Sequence, residues 1–182
     1  MASLGERMVG AMKADVKTFQ ELEADPSAIG QAVTVIVIAG VASLIGNVFR
    51  SGVFIGMMSL VISLAGYALW SLLVVLIGTK LMPEPATKAD FNEAFRVIGF
   101  TAAPGVFNVL AIVPFLGPLI SLVISLWMIV IGVIAVREVL DYSNTGRAII
   151  VCLIAMVVVW IVTLFIFTPL LLGGAIVGSL GR

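Results

Sequence analysis

Long uncharged runs separated by short charged segments dominate the chain. They predict five membrane spans, at about 27–49, 53–79, 97–113, 119–136 and 148–172. An α-helix needs roughly 20 apolar residues to cross the hydrocarbon core, so most of these runs are long enough. Only Arg50 separates the first two runs, which predicts a very tight turn around residues 49–52. The predicted fold is an all-α, five-span transmembrane helical bundle, with the membrane domain at 27–182.

The first 26 residues follow a different pattern, because apolar residues recur there every three or four positions. These residues are Leu4, Met8, Met12, Val16 and Phe19. Charged residues fall largely elsewhere around the helix, an arrangement suited to the headgroup region of a membrane. The segment has no apolar h-region and no small-residue cleavage site, so it is not read as a signal peptide. We predict one amphipathic interfacial helix over 1–26, on the cytoplasmic side; the alternative is a frayed, solvated tail.

Small residues recur along the second predicted span at intervals of four, three, four and three. They are Gly52, Gly56, Ser59, Ser63 and Gly66. Small side chains at this spacing form a flat surface that another helix can approach closely, because packing drives helix association in lipid. We predict a helix-packing seam along these residues. The alternative is that they reflect only the glycine and serine content common in membrane spans.

The segment from Thr87 to Pro118 begins as a polar helix and ends inside a predicted span. Thr87 and Asp90 predict a helix start with a capping box. No charge follows Arg96 until residue 137, and this gap holds an unusual number of helix-breaking residues: Gly99, Pro104, Gly105, Pro114, Gly117 and Pro118. The most specific feature of the protein is therefore expected in this broken segment.

Proline within the third span predicts a kink, because it removes a backbone hydrogen bond. Asn108 lies four residues after Pro104 and could satisfy the carbonyl that the proline leaves free. The alternative is that Asn108 contacts a substrate. The candidate recognition or kink residues are Arg96, Gly99, Phe100, Pro104 and Asn108.

Basic residues predict the orientation of the bundle. Eight lie in the N-terminal segment and in the second and fourth loops, namely Arg7, Lys13, Lys17, Lys80, Lys88, Arg96, Arg137 and Arg147. The other side has only Arg50 and Arg182. The positive-inside rule then places the N-terminus in the cytoplasm and the C-terminus outside. The expected location is integral to the membrane, in the bacterial inner (plasma) membrane.

Composition excludes several classes of function. Hydrophobic residues make up 62% of the chain and charged residues 11%, whereas soluble domains carry about a quarter charged residues, so the principal solvent is lipid. The net charge of zero gives no indication of a nucleic-acid partner. There is no histidine, and Cys152 is the only cysteine, which excludes intrachain disulfides and the usual zinc, haem and Ser–His sites. We expect no cofactor, no metal and no catalysis.

The stretch F-N-E-A-F-R-V-I-G-F-T-A-A-P, residues 91–104, resembles a segment of Yip-domain (Ypt/Rab-interacting protein) family members. In that segment an arginine precedes Gly-Phe or Gly-Tyr and then proline; here they are Arg96, Gly99-Phe100 and Pro104. The similarity extends over about 19–148, through the turn at 112–117, Trp127 and 135–138. The chain is similar to the short, bacterial-type members.

The resemblance implies a five-span bundle with a cytoplasmic N-terminus. For eukaryotic relatives it also implies roles in membrane traffic, with small GTPases as partners. This sequence lacks the longer soluble N-terminal region and the acidic, tyrosine-bearing motif of those relatives. That departure weakens the case for a GTPase partner.

The function predicted from these features is that of a non-catalytic integral membrane protein. It would act as a membrane-organising or assembly subunit that binds other membrane proteins or itself, within the lipid bilayer. The alternative is a small carrier or pore that uses the kinked third span. A sealed polar path would favour the first prediction, and a water-filled cavity that reaches Asn47 or Asn108 would favour the second.

Overall fold

The computed structural model describes the backbone of residues 2–113 and 115–180, and side chains as far as residue 165. Six α-helices follow one another: α1 (Leu4–Met12), α2 (Val16–Ala24), α3 (Ala28–Leu76), α4 (Phe91–Phe100), α5 (Gly117–Val139) and α6 (Thr145–Leu180). A π-helical turn, Ile77–Leu81, extends α3, and a 3-10 helix, Ala103–Ile112, follows α4. The described residues contain no strand, so the all-α prediction is confirmed.

Helix α3 is folded into two antiparallel halves. With its π-helical extension it covers 54 residues, and at about 1.5 Å per residue it would be more than twice as long as the ~30 Å hydrocarbon core. Gly52 interrupts it with a φ of 76°, a conformation that favours glycine. The halves, 28–51 and 53–76, then face each other, with Leu60 against Gly40 and Leu44 against Gly56.

Within the part of the chain that the structure describes, four helical segments are long and apolar enough to cross a membrane. Because the first of them reverses at Gly52, the chain passes through the bundle five times. The turn at Gly52 lies within residues 49–52, where the short break between the first two uncharged runs predicts it. The last predicted span lies within α6, although its side chains from residue 166 onward lie outside the described residues.

The N-terminal segment contains two helices, so the prediction of one continuous helix over 1–26 is corrected. A turn separates them, with Ala14 at a φ of 55°. Asp15 begins α2, because its carboxylate accepts hydrogen bonds from the backbone N–H and the hydroxyl of Thr18, at 3.3 and 2.8 Å. The apolar side of α2 faces the bundle, where Phe19 and Leu22 are fully buried.

The third span also differs from its prediction, because no α-helix continues through Pro104. Helix α4 ends at Phe100, and Pro104 lies in the first turn of the 3-10 helix. A proline there needs no N–H, so no hydrogen bond in mid-helix is broken. Pro104 therefore frees no carbonyl in the middle of an α-helix, and the predicted role of Asn108 in satisfying one does not arise. Thr101 completes the end of α4 by donating its N–H and its hydroxyl to the carbonyl of Ile98.

The bundle has two distinct ends. At one end, which we call the N-terminal face, loops 82–90 and 140–144 contact each other, and α2 packs against α4 and α5. The hydroxyl of Tyr142 donates to the Met82 carbonyl at 2.7 Å, and that of Thr87 donates to the Leu140 carbonyl at 2.8 Å. At the opposite end, which we call the hairpin face, the chain turns at Gly52 and between the 3-10 helix and α5. The alternation of loops fits the predicted topology, and the cytoplasmic assignment stays a prediction.

Candidate functional site

Small residues bring the first half of α3 into close contact with the third span. A Cβ added to Gly99 would lie 2.8 Å from the Cβ of Ala32, and one added to Gly105 would lie 2.7 Å from that of Ala39. The two helices therefore run parallel at a distance that only small side chains permit. Ala32 and Ala39 are not among the predicted site residues, although their spacing of seven residues is a signal of a packing surface in the sequence.

The predicted seam on the second span has a mixed environment. A Cβ added to Gly56 would lie 2.7 Å from Leu44 Cγ, whereas one added to Gly66 would meet nothing within 4 Å. The hydroxyls of Ser59 and Ser63 donate to carbonyls of their own helix, both at 2.8 Å. Gly52 forms the turn. Within the described chain only Gly56 packs closely, and the role of these residues in binding another helix stays a prediction.

Arg96 is buried and fastens α2 to α4. Its Nε donates to the carbonyl of Leu22 at 3.0 Å, and its Nη2 donates to the carbonyl of Glu23. A cation at the C-terminus of a helix satisfies free carbonyls and is favoured by the helix dipole. The other candidate residues of this segment are also inside the protein, apart from the half-buried Asn108: Gly99, Phe100 and Pro104. Their role in recognition stays a prediction.

A second buried arginine holds the N-terminal helices against α3. Arg7 is only 4% exposed; its Nη2 lies 2.6 Å from a carboxylate oxygen of Asp25, and its Nη1 donates to Gln31 at 2.9 Å. The hydroxyl of Ser27 and then Arg7 lower the pKa of Asp25 to about 2. Midway along α5, the indole N–H of the exposed Trp127 donates to the Met12 carbonyl at 2.9 Å. Polar bonds thus fix both helices to the membrane domain.

Carboxylates gather around the end of α2. Burial and then the negative charges nearby raise the pKa of Glu23 to about 7, although the positive charge of Arg96 opposes them. The acidic neighbours are Asp141, Glu93 and Glu138. Gln20 also reaches Glu138, with 3.5 Å between amide nitrogen and carboxylate oxygen. This region is polar, partly buried and sensitive to protonation.

A cavity of about 640 Å³ lies between the two halves of α3, the 3-10 helix and α5. Arg50 and Ser51 line it near the hairpin face, and Ile36, Tyr67 and Ala102 line its other end. Its polar members include Ser43, Asn47, Ser59, Ser63 and Asn108. Two smaller cavities also contact Tyr67 and extend toward α5 and α6. The large cavity thus reaches both asparagines, while its own lining stops short of the N-terminal face.

The described residues offer little for catalysis or metal binding. Residues 2–113 and 115–165 contain no group of three His, Cys, Asp or Glu residues that could hold a metal ion. Cys152 is buried in α6, and its sulfur lies 3.9 Å from the carbonyl oxygen of Gly132. Among the described residues, the lining of the large cavity combines hydroxyls, amides and one guanidinium with an otherwise apolar wall.

The fold defines the class of the protein, a multi-pass helical membrane protein with two N-terminal helices attached to its bundle. The Yip1 domain model matches residues 9–167, and the chain belongs to this family. The resemblance carried by residues 91–104 is thereby confirmed. No curated protein and no solved structure matches the chain.

Proposed function

We propose that the protein is a non-catalytic membrane-organising or assembly subunit that binds other membrane proteins or itself in the bacterial inner membrane. The observation that carries the proposal is the attachment of α1 and α2 to the bundle by Arg96, Arg7 and Trp127. A merely interfacial helix needs no such bonds. A helical pair fixed in one position presents a defined surface at the end of a membrane domain.

The exposed side of α1 and α2 carries charges of both signs: Glu6, Lys13, Lys17 and Glu21. Complementary charges on a partner would steer association and determine its orientation, even where they add little affinity. Of the four apolar helical segments found among the described residues, the one that contains the third span is the most buried. In its most apolar stretch 61% of the residues are buried, against 17, 28 and 22% in the others. This shielding supports a role for the N-terminal pair as a platform above a packed span.

Photo-crosslinking in cells tests the platform. A photoreactive amino acid at Lys17 is expected to give a discrete protein adduct, and one at the lipid-facing Leu72, 42% exposed, is expected to give none. Reversing the charges of Lys13 and Lys17 should abolish the adduct formed from Glu21, whereas Lys88→Glu, a change on an exposed loop, should not. Equal adducts at Lys17 and Leu72, or adducts unaffected by charge reversal, would refute the proposal.

The proposed orientation has the N-terminal face in the cytoplasm. Single cysteines in a Cys152→Ser background test it with an impermeant thiol reagent on intact cells. Cysteine at Phe49, which is 86% exposed at the hairpin face, should react, and cysteines at Lys13, Lys88 and Asn144 should react only after permeabilisation. The reverse labelling pattern would overturn the assignment.

A carrier or pore is the second candidate, and the cavity reaching Asn47 and Asn108 is the observation that favours it. A carrier must expose this cavity to each side in turn. Cysteine at Asn108 should therefore react from both sides in right-side-out and inside-out vesicles if the protein is a carrier. Reaction from one side alone favours the assembly function.

A further inference from the structure

We propose that the cavity between the two halves of α3 binds an amphiphile with an anionic, phosphate-bearing headgroup, at Arg50 and Asn108. This inference goes beyond the assembly function, and lipid binding can be present or absent whether or not a protein partner exists. The argument rests on the charge of the lining, on the hydrogen-bond donors it offers and on the size of the cavity.

The positive charge of the cavity lining favours an anionic ligand. Of the residues that the structure describes, Arg50 is the only charged one in the lining of the cavity, and no carboxylate belongs to that lining. Among the described residues, no carboxylate lies within ion-pair distance of its guanidinium; the ion pairs are those of Arg7, Arg137 and Arg147. A guanidinium presents several N–H donors in a planar fork that suits phosphate oxygens.

The available donors lie on one side of the cavity. The hydroxyls of Ser51, Ser59 and Ser63 donate to carbonyls of their own helix, as does the amide of Asn47. Their oxygens remain as acceptors. Neither the amide of Asn108 nor the hydroxyl of Ser43 donates a hydrogen bond within the described part of the chain, so both remain available to a ligand together with Arg50. Arg50 and Asn108 are the two nitrogen donors of this set.

These two donors lie near each other along α3. The backbone of Asn108 lies against Gly46, and Arg50 follows Gly46 by four residues, which is about one helical turn on the same side of the helix. Two donors one turn apart can contact the several oxygens of a single phosphate-bearing headgroup.

The remainder of the lining determines what accompanies the anion. Away from Arg50 the wall is mainly aliphatic, with Ile36, Ala39, Leu44, Leu60 and Met128 among its residues. The guanidinium at the end of a span can bind an anionic headgroup, and the apolar wall within the bundle can contact the start of the hydrocarbon chain attached to it. A volume of about 640 Å³ lies within the ~300–1,000 Å³ of small-ligand pockets. A helix ~10–12 Å across would fill that volume in under two turns, so a membrane helix is not the occupant.

Native mass spectrometry of the detergent-solubilised full-length protein provides the test. Phosphatidylglycerol and phosphatidylcholine with identical chains are titrated separately, and inorganic phosphate is added as a competitor. We expect retention of phosphatidylglycerol at concentrations at which phosphatidylcholine dissociates. Arg50→Gln should weaken phosphatidylglycerol binding about tenfold, which corresponds to ~1.4 kcal/mol. Lys88→Gln, the same charge change on an exposed loop, should alter binding by less than about twofold.

A second pair of variants tests the cavity itself. Ser59→Leu fills it and should prevent phosphatidylglycerol binding. Ser125→Leu places the same side chain at an exposed serine that also donates to its own helix, at 2.8 Å, and should leave binding unchanged. If Arg50→Gln fails to fold, Asn108→Asp provides an equivalent test, because it introduces a negative charge with almost no change in volume and should weaken binding.

Four results would overturn the proposal. Equal retention of the two lipids would show that Arg50 does not select an anion. Equal losses in Arg50→Gln and Lys88→Gln would indicate general electrostatic attraction, and unchanged binding in a folded Ser59→Leu would place the lipid outside the cavity. Displacement of the lipid by millimolar inorganic phosphate would show a site for a soluble anion and reject the amphiphile.

Discussion

The N-terminal face and the hairpin face are built from similar residues but differ in what holds their chain segments together and in the space they enclose. At the N-terminal face, buried arginines, tied loops and contacts such as Gly99 against Ala32 leave little space. At the hairpin face the halves of α3 enclose a cavity of about 640 Å³, and aromatic residues such as Phe54 and Phe115 are 73 and 99% exposed. Both faces contain many glycine, alanine and serine residues.

The difference shows that small residues do not by themselves produce close packing. They allow two helices to approach, and whether the helices do so depends on what else holds them together. At the N-terminal face, polar bonds to Arg96 and Arg7 bring the chain segments together. At the hairpin face the described chain supplies no equivalent bonds; Gly46 still packs closely against Asn108, but other small residues there border the open cavity.

The largest expected effect is at Arg96. Replacement by Gln removes two hydrogen bonds from a charged donor to the end of α2, and such bonds contribute about 1.5–3 kcal/mol each. We expect α2 to detach, with a loss of unfolding free energy of about 3 kcal/mol and faster hydrogen exchange over residues 16–24. The control, Arg137→Gln, removes a partly exposed ion pair to Glu138, which should cost at most about 1 kcal/mol. Unchanged hydrogen exchange over residues 16–24 in Arg96→Gln would show that Arg96 does not hold α2 at the N-terminal face, and it would contradict the comparison of the two faces.

Two glycines give a sharper test of packing. Gly99→Leu forces a side chain against Ala32 and should lower the unfolding free energy by about 1–3 kcal/mol, as overpacking usually does. Gly66→Ala adds a methyl group where nothing lies within 4 Å and should raise it by up to about 1 kcal/mol through helix propensity. Thermal unfolding in one detergent measures both changes. A change of the same sign in the unfolding free energy of both variants would contradict the contrast between the closely packed Gly99 and the open Gly66.

A smaller effect is expected at Trp127. Trp127→Phe removes the N–H that donates to the Met12 carbonyl but keeps an aromatic ring next to Phe107, whose ring centre is 5.9 Å away. We expect a loss of about 1 kcal/mol, the net value of one hydrogen bond. Protease cleavage between α1 and α2 should increase in parallel. Trp160→Phe, at a 70% exposed position on α6, serves as the control and should leave cleavage unchanged.

The smallest effect is a pH dependence caused by Glu23, which is only half-buried and therefore screened by solvent. Its pKa rises from 4.5 to about 7 on folding, so the folded chain binds more protons than the unfolded chain between these values. Stability should fall as the pH rises through this window. Glu23→Gln should remove the fall, whereas Glu21→Gln should retain it. Urea unfolding from pH 4.5 to 8 measures the slope, and a rise in stability would contradict the assignment.

The sequence by itself determined most of the secondary structure and the class of the protein. Uncharged runs predict the spans, Arg50 beside Gly52 predicts the reversal of α3, and residues 91–104 indicate the family. These signals are local, because each depends on neighbouring residues and on the length of a helix. The N-terminal turn was also a local signal, since Asp15 is a good N-cap residue, although the apolar periodicity across it suggested one helix.

Only the tertiary structure decided which small residues meet, where Arg96 points and where the chain leaves a cavity. The physical reason is that lipid and the interior of a membrane protein are both apolar, so hydrophobic periodicity does not distinguish a lipid-facing side from a packed one. Ala32 contacts Gly99 while Gly66 faces open space, and both have the small-residue spacing of a packing surface. Arg96 looks like an exposed basic residue in the sequence, and it becomes a buried donor because the chain brings the end of α2 to it from more than 70 residues away.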